Sequence, residues 1–209
     1  MARYIDPSCR QCRRIGEKLY LKGERCFTPR CAVDRRKRPP GDHIPRRRRA
    51  SEWAIQLREK QKARWTYGVL ERQFRKYFET AREKPGITGD LLLQQLERRL
   101  DNVVYRLSFS DSRKQARQMV NHRHFQVNGR RLDIPSYLVK PNDVITWRGA
   151  NGSLPEFAQL ITEDAPKRPV PTWLNLEVSS MTGQVLSLPD VTEIESGIDA
   201  RLIVEFYSR

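Results

Sequence analysis

Four cysteines near the amino end are the residues whose type and spacing most directly indicate chemistry. Cys9, Cys12, Cys26 and Cys31 read C-x2-C and C-x4-C, with thirteen residues between the pairs. Two short pairs across a loop can place four thiolates at the corners of a tetrahedron, which is the ligand set of structural zinc. Neighbouring arginines and lysines would help to keep the thiols deprotonated. The spacing therefore predicts one structural zinc ion held by these four residues.

Two disulfides, four unlinked thiols or an iron–sulfur cluster are the other states open to the same cysteines. Residues 1–7 have no apolar run of a secretory signal, and no stretch approaches the ~20 apolar residues that cross a bilayer. We therefore expect a cytoplasmic protein, where reducing conditions disfavour disulfides. The paired spacing disfavours unlinked thiols, and nothing else indicates electron transfer. Catalytic zinc is not expected, because protein ligands would fill all four positions.

Positive charge is the second feature that points to a partner. The chain has 209 residues, with 40 Lys and Arg against 25 Asp and Glu, a net charge of +15. The charge is uneven: residues 1–65 hold 20 basic and 7 acidic residues, 66–149 hold 16 and 9, and 150–209 hold 4 and 9. Such an excess is best neutralised by a polyanion, so nucleic acid or an anionic membrane surface would suit the amino end.

The elements that must position these residues are mostly helical in the first half of the chain. Residues 1–50 are irregular and rich in Arg and Pro, and they should order only around a metal and phosphates. Ser51 and Gly68 have the types that begin and end a helix. A helical run after Thr88 is interrupted at Asp101-Asn102. Between these helices the apolar spacing predicts an amphipathic helix carrying Leu70, Phe74, Tyr77, Phe78 and Ala81.

The second half of the chain combines helix and strand signals. Ser112–Gln115 has the spacing of a capping box, which predicts a short helix. Apolar alternation around Asn128-Gly129 predicts a hairpin. Val144–Trp147 and Leu202–Tyr207 are strand candidates. These elements predict an α+β protein with a zinc-knot extension at 1–50, a helical domain at 51–96, a small α+β unit at 97–160 and a further segment at 161–209.

Basic side chains cluster on the predicted α+β unit. Helical spacing places Arg113, Lys114 and Arg117 on one face, and Arg130 and Arg131 follow at the hairpin turn. Guanidinium groups on a helix face and a turn suit a phosphate backbone. A charge run is also often only a solvated face, and composition alone does not decide between the two interpretations.

Five stretches of the second half are similar to an RNA-binding domain that also occurs in RNA-modifying enzymes, tRNA synthetases and heat-shock proteins. They are Glu97–Arg106, Ser112–Val120, Val127–Arg130, Ile134–Tyr137 and Lys140–Asp143. Further stretches extend the likeness over nearly the whole chain. They are Met1–Tyr4, Leu57–Lys62, Tyr67–Phe74 and Leu202–Arg209. On these stretches the chain resembles the S4 family of small-subunit ribosomal proteins. The resemblance implies that 97–160 is the S4-type RNA-binding unit and that 161–209 packs back on the helical domain.

The resemblance implies a structural, non-catalytic constituent of the small ribosomal subunit in the cytoplasm. It implies a primary binder of ribosomal RNA at a helix junction in the 5′ domain, which nucleates assembly of the body and contributes to translational accuracy. Implied neighbours are the messenger-RNA entry channel, small-subunit protein five and, as a second candidate, protein three. No membrane and no small-molecule substrate are expected. Many relatives lack the cysteines, so zinc is not required by every member.

The residues expected to contact RNA are basic side chains of the head, the helices and the 113–131 surface. They are Arg3, Arg10, Arg13, Arg14, Arg35, Arg36, Lys37, Arg38, Arg46, Arg47, Arg48, Arg49, Arg58, Lys62, Arg72, Arg113, Lys114, Arg117, Arg130 and Arg131. The segment Asn121–His124 would suit either a further phosphate contact or an ordinary helix end, and the second interpretation is favoured. The acidic residues within 148–200 are where we expect protein contacts specific to this lineage.

Two other classes of function compete with the ribosomal one. An RNA-modifying enzyme that borrows the same domain would need a catalytic core, but the sequence contains no G-x-G-x-x-G or Walker loop. Its three histidines, His43, His122 and His124, form no recognisable dyad with the aspartates. A zinc-containing DNA-binding regulator would need a recognition helix or a dimer zipper, and neither is evident.

Overall fold

The computed structural model describes residues 4–36, 38–41, 50–148, 169–190, 193–194 and 197–209. The chain divides into two units, one of residues 1–93 with 195–209 and one of residues 94–194. Within the described ranges, no helix is long and apolar enough to cross a membrane.

The first unit begins with short elements around the cysteines. They are α1 (Cys9–Ile15), a 3-10 helix (Gly23–Cys26) and α2 (Ala32–Arg35). Gly16 ends α1 with a left-handed φ of 91°, and its N–H donates to the Cys12 carbonyl at 2.8 Å. The apolar core here is small. It comprises Cys12, Leu19 and Leu21, with Ile15, Val33 and Trp65 packed against them.

Two longer helices, α3 (Glu52–Thr66) and α4 (Glu71–Arg82), follow. The Ser51 hydroxyl accepts a hydrogen bond from the Ala54 N–H at 3.3 Å, which confirms the predicted start of α3. The predicted apolar stripe of α4 is confirmed as well. Its buried members are Phe74, Tyr77, Phe78 and Ala81.

The carboxyl-terminal segment is a helix, so the prediction of a strand over Leu202–Tyr207 is wrong. This helix, α8 (Ala200–Tyr207), packs on α3. It is capped by Asp199, whose carboxylate accepts a hydrogen bond from the Arg201 N–H at 2.9 Å. β-Branched and aromatic residues favour a strand locally. Ile203, Phe206 and Tyr207, however, lie at i, i+3 and i+4, and all three can share one face only in a helix.

A single carboxylate joins three helices of the first unit. Glu71 of α4 accepts hydrogen bonds from Lys60 Nζ (2.7 Å) and Arg64 Nη1 (2.9 Å) of α3, and from the Tyr207 hydroxyl (2.8 Å) of α8. Lys60 Nζ also lies 4.7 Å from the centre of the Phe206 ring. Burial opposes ionisation of Glu71, but the hydrogen bonds from Lys60 and Tyr207 and the nearby positive charges outweigh it and lower its pKa. Burial and this carboxylate raise the pKa of Tyr207.

Three helices lead into the second unit. The division between the units falls within α5 (Thr88–Glu97), and α6 (Leu100–Arg106) and α7 (Arg113–Asn121) follow. The helical run after Thr88 is interrupted as predicted, but the break lies at 98–99, and Asp101-Asn102 are inside α6. The Ser112 hydroxyl accepts from the Gln115 N–H at 3.3 Å, while the Gln115 side chain accepts from the Asp111 N–H at 3.0 Å. This reciprocal pair confirms that α7 starts at the predicted capping box, although the return bond reaches one residue further back than usual.

Five short strands form an antiparallel sheet in the order β2-β1-β3-β5-β4. They are β1 (Phe125–Val127), β2 (Arg130–Arg131), β3 (Val144–Trp147), β4 (Leu174–Glu177) and β5 (Thr182–Val185). The predicted β1–β2 hairpin is confirmed. Its turn residues, Asn128 (φ 50°) and Gly129 (φ 76°), both have the left-handed backbone that a type I′ turn requires. The sheet, α6 and α7 enclose one apolar core.

The last two strands differ from the predicted division at residue 160. β5 pairs with β3, with Ile145 opposite Gly183, so 174–185 extends the sheet of the second unit. Gly183 is required at this position, because a Cβ there would lie 2.3 Å from a methyl group of Leu107. Of the described residues after 160, only those from 197 onward belong to the first unit.

Replacing Glu71 with Gln is expected to reduce the dependence of stability on acid pH. The lowered pKa of Glu71 means that its contribution is complete above the ordinary Glu value of ~4.3 and is lost as pH falls through the folded-state pKa. Because 42% of the side chain is exposed, we expect a loss of only about 1 kcal/mol at pH 7. Urea unfolding followed by circular dichroism at pH 7 and pH 3 measures both quantities.

The matched control is Glu79→Gln, which removes a carboxylate from an exposed pair with Arg75 (3.1 Å) on the same helix. It should change the free energy of unfolding by at most about 0.5 kcal/mol. An acid-induced loss of stability that is the same in wild type and Glu71→Gln would contradict the assignment.

Candidate nucleic-acid interface

Most of the described basic residues that were predicted to bind RNA in the first unit lie at the surface. The exposed ones are Arg10, Arg14, Arg35, Arg36, Arg38, Arg58 and Arg72. Arg13 is half-buried and donates to the carbonyl oxygens of Arg38 (3.0 Å) and Pro39 (3.2 Å). It thereby holds the start of the arginine-rich segment against α1.

Six further candidates lie outside the described residues. They are Arg3, Lys37, Arg46, Arg47, Arg48 and Arg49.

Lys62 lies inside the first unit, although it was expected on the RNA-binding surface. Its side chain is 10% exposed, and its Nζ pairs with Glu17 at 2.6 Å and with Glu59 at 3.9 Å. A largely buried lysine with a carboxylate partner is held by that pair and is poorly placed to reach a phosphate. Lys62 therefore ties the cysteine-bearing segment to α3.

The four cysteines line one small cavity in the first unit. Cys12, Cys26 and Cys31 are buried and Cys9 is half-buried, and all four carry free thiols. Lys18 and Lys22 lie at the same cavity, and the Lys22 N–H donates to the Cys26 sulfur at 3.4 Å. The helix α1 and the 3-10 helix thus bring the two sequence pairs to one place.

The thiols are costly to ionise in this arrangement. Burial raises the pKa of Cys12 and of Cys26, and the neighbouring cysteines raise both further. A bound cation would remove this mutual repulsion, so the donor set suits a soft metal ion. In the described part of the chain, however, no three Cys, His, Asp or Glu side chains are arranged as a ready set of metal ligands.

Two of the three basic residues expected on the outer face of α7 are engaged inside the second unit. Arg113 is buried, donates to the Asn102 side-chain oxygen at 2.7 Å and stacks 4.5 Å from the Tyr105 ring centre. Arg117 donates to the Asp101 carboxylate at 3.0 Å. Lys114 is half-exposed. Most of the predicted guanidinium face of α7 therefore contacts α6.

These arginines belong to a buried polar network. Asp101, 3% exposed, accepts two hydrogen bonds from Arg99 (2.8 and 3.1 Å) and one from Arg117. Glu97, 1% exposed, accepts two from Arg106 (2.7 and 3.0 Å) and one from the Asn102 amide (2.7 Å). Every carboxylate oxygen is therefore paired with a charged or amide donor. The network joins the carboxyl end of α5 to α6 and to α7.

The hairpin presents its arginines outward while a second carboxylate group fixes its turn. Asp143 accepts hydrogen bonds from the Asn128 amide (2.8 Å) and the Lys140 N–H (2.8 Å), and the Asn128 oxygen accepts from the Val144 N–H (2.9 Å). Asn128 thereby contributes a left-handed backbone and bridges two loops. The two strand residues beyond it, Arg130 and Arg131, are exposed.

A group of rings beside this hairpin was not expected from the sequence. His122, His124 and Trp147 stack in succession, with ring centres 6.1 and 5.2 Å apart. The intervening Arg123 is exposed and pairs with Asp133 at 2.8 Å. The histidine spacing was visible after α7, but the third ring comes from β3, and only strand pairing brings it there.

Comparison with known proteins identifies both parts of the chain. Residues 3–97 match the family model described as the ribosomal protein S4/S9 N-terminal domain, and residues 98–145 match the S4 domain. Several proteins named small ribosomal subunit protein uS4 are similar over 100% of both chains. They include those of Pelotomaculum thermopropionicum (54% identical), Acetivibrio thermocellus (56%) and Thermus thermophilus (53%).

Replacing Asp101 with Asn should strongly destabilise the second unit. The change is nearly isosteric, but it removes the countercharge of Arg99, whose side chain is 2% exposed. Breaking a buried ion pair from one side costs about 3–5 kcal/mol. Urea unfolding followed by circular dichroism measures the loss.

Asp133→Asn is the control, because it breaks the exposed pair with Arg123 in the same unit and should cost under about 1 kcal/mol. Equal losses in the two variants would show that burial of the Asp101 network does not contribute as described.

Proposed function

The chain belongs to the uS4 family of small ribosomal subunit proteins, and on that premise we propose that it is a structural constituent of the small subunit that binds ribosomal RNA. The observation that carries this function is identity of 53–56% over the full length of proteins bearing that name. Those relatives are ribosomal proteins and not enzymes, so the RNA-modifying and DNA-regulating alternatives lose their support. Its place of action is the cytoplasm, where ribosomes assemble.

Sedimentation of a native extract through a sucrose gradient tests this function. The protein is expected in the small-subunit fraction, and its absence from that fraction would overturn the proposal.

Affinity for RNA is supplied mainly by the exposed arginines and not by the whole predicted set. The exposed head residues and the hairpin arginines can approach phosphates without losing an internal partner. Lys62, Arg113 and Arg117 are committed to carboxylates or amides of the same chain. Their role is to hold the surface in shape. Discrimination among RNAs then comes from helix and junction geometry, because side chains cannot read the narrow A-form major groove.

The finer ribosomal role follows from the family resemblance. The proposal is that the protein binds early at a helix junction of the 5′ domain, shapes it for later proteins and contributes to accuracy near the messenger-RNA entry channel. Small-subunit protein five, and protein three as a second candidate, are the proposed neighbours. Two compact units with exposed arginines on each would suit a protein that contacts more than one RNA helix.

Replacing Arg130 and Arg131 together with Gln should weaken RNA binding and make it less dependent on salt. Each phosphate contact contributes about one unit to the slope of log affinity against log salt, so the double variant should lose about two units. Filter binding of a small-subunit RNA fragment across a salt series measures the slope.

The control is the double variant Arg201→Gln, Arg209→Gln, which removes the same charge from the acidic tail. Its slope should stay close to that of wild type. Equal slopes for the hairpin variant and wild type would remove the hairpin from the interface.

The four cysteines are proposed to hold one structural zinc ion. Support comes from the C-x2-C and C-x4-C spacing, the shared cavity and the repulsion that the buried sulfurs would exert on one another as thiolates. Zinc would supply the positive charge that keeps Cys9, Cys12, Cys26 and Cys31 as thiolates. The small apolar core beside them gives this segment little other stabilisation.

Elemental analysis of the purified chain should find one zinc per molecule, and Cys26→Ser should lower that content substantially. Lys22→Gln is the control, because Lys22 lines the same cavity but offers no ligand that zinc prefers. Chelation should increase hydrogen exchange in residues 9–35 and leave the second unit protected. Iron in place of zinc, or no metal at all, would contradict the assignment.

A further inference from the structure

We propose that the stack of His122, His124 and Trp147 is a binding site for an unpaired nucleobase. The inference rests on the proposed RNA-binding function and adds a chemical class of ligand at a defined place. The site lies where α7 meets β1, and all its residues belong to the second unit.

The three rings form a continuous aromatic column. The His124 ring is parallel to Trp147 within 6°, with centres 5.2 Å apart, and His122 continues the stack at 6.1 Å and 22°. These separations are those of offset-stacked rings. Trp147 and His124 are half-buried and His122 is exposed, so the column runs from the sheet to solvent.

The column is fixed by the backbone on both sides. Arg123 has a left-handed φ of 63°, and the next N–H, that of His124, donates to the Met119 carbonyl at 3.2 Å, which closes the end of α7. The Arg148 N–H donates to the His124 carbonyl at 2.7 Å and joins β3 to this turn. The inner end of the column is supported by the fully buried Phe125, whose ring meets Trp147 edge-on at 5.1 Å.

A nucleobase fits the outer end of this column better than an apolar protein side chain does. A planar ring held rigidly at the surface offers a stacking face without further ordering cost, and every base has a matching π-face. Guanidinium groups lie beside the stack. Arg131 of β2 is exposed and pairs opposite Gln126, two residues after His124. Arg123, 65% exposed between the histidines, shares its charge with Asp133 at 2.8 Å. Phosphates of the same nucleic acid strand would find charge beside the stack.

Core packing does not account for His122. The core beneath is completed by Phe125, Val120 and Met119, and His122 extends past them into solvent. Nor does the ordinary end of a helix require three aligned rings from two elements, because the backbone bonds at Arg123 and His124 already close it.

The test uses the full-length chain and a small-subunit RNA fragment that contains a helix junction with unpaired adenines. A second junction has abasic sites at the same positions and keeps every phosphate. His122→Ala should weaken binding to the intact junction roughly tenfold and leave binding to the abasic junction unchanged. His122→Phe keeps the ring and should bind the intact junction within about threefold of wild type.

Each contrary outcome has its own meaning. Wild type that fails to bind either junction would refute RNA binding by this chain and not only the site. Wild type that binds while His122→Ala binds equally well would overturn the site alone. Equal weakening on both junctions would indicate a phosphate contact and overturn base stacking. Unchanged RNA binding by His122→Ala together with lost incorporation into small subunits would assign the stack to a protein partner, and this also overturns the proposal.

Discussion

Two buried carboxylates, Glu97 and Asp101, join α5, α6 and α7 by accepting hydrogen bonds from arginines of the second unit. A buried carboxylate is tolerated only when cations and hydrogen-bond donors surround it, and here three guanidinium groups and one amide do so at 2.7–3.1 Å. The same groups fix the angle between α6 and α7, on which the sheet packs. The position of the hairpin and of the aromatic column therefore depends on this network.

The arginines of the chain consequently form two groups: buried ones that bind carboxylates of the same chain, and exposed ones that can bind phosphates. Those in the network need carboxylates at short range and would be poor ligands for a phosphate. Those on the hairpin and the amino-terminal head are exposed, so they gain most when a polyanion arrives. Arg113 and Arg130 thus both lie in stretches that resemble the S4 domain but have different physical roles.

Structural features that depend only on nearby residues were predicted correctly from the sequence. The capping box at Ser112, the Asn128-Gly129 turn and the apolar stripe of α4 are confirmed because each depends on neighbours within a few residues. The prediction of a strand at α8 is wrong because the conformation of this segment is set by packing on α3, which is far away in the sequence. Lys62 and Arg113 were placed outside for a related reason, since burial depends on partners that a charge pattern does not identify. β5 pairs with β3 although residues 148–173 separate β3 from β4 in the sequence, and no local pattern predicts this pairing.

The carboxyl-terminal helix makes the first unit depend on the part of the chain that is synthesised last. The second unit is built from one uninterrupted stretch, 94–194, whereas the first needs α8, and the Tyr207 hydroxyl reaches Glu71 across 136 positions. Helices α3 and α4 are therefore translated long before the helix that packs on α3. The half that is made first waits for the residues made last, and until then the apolar surfaces that α8 covers are left for a chaperone to shield.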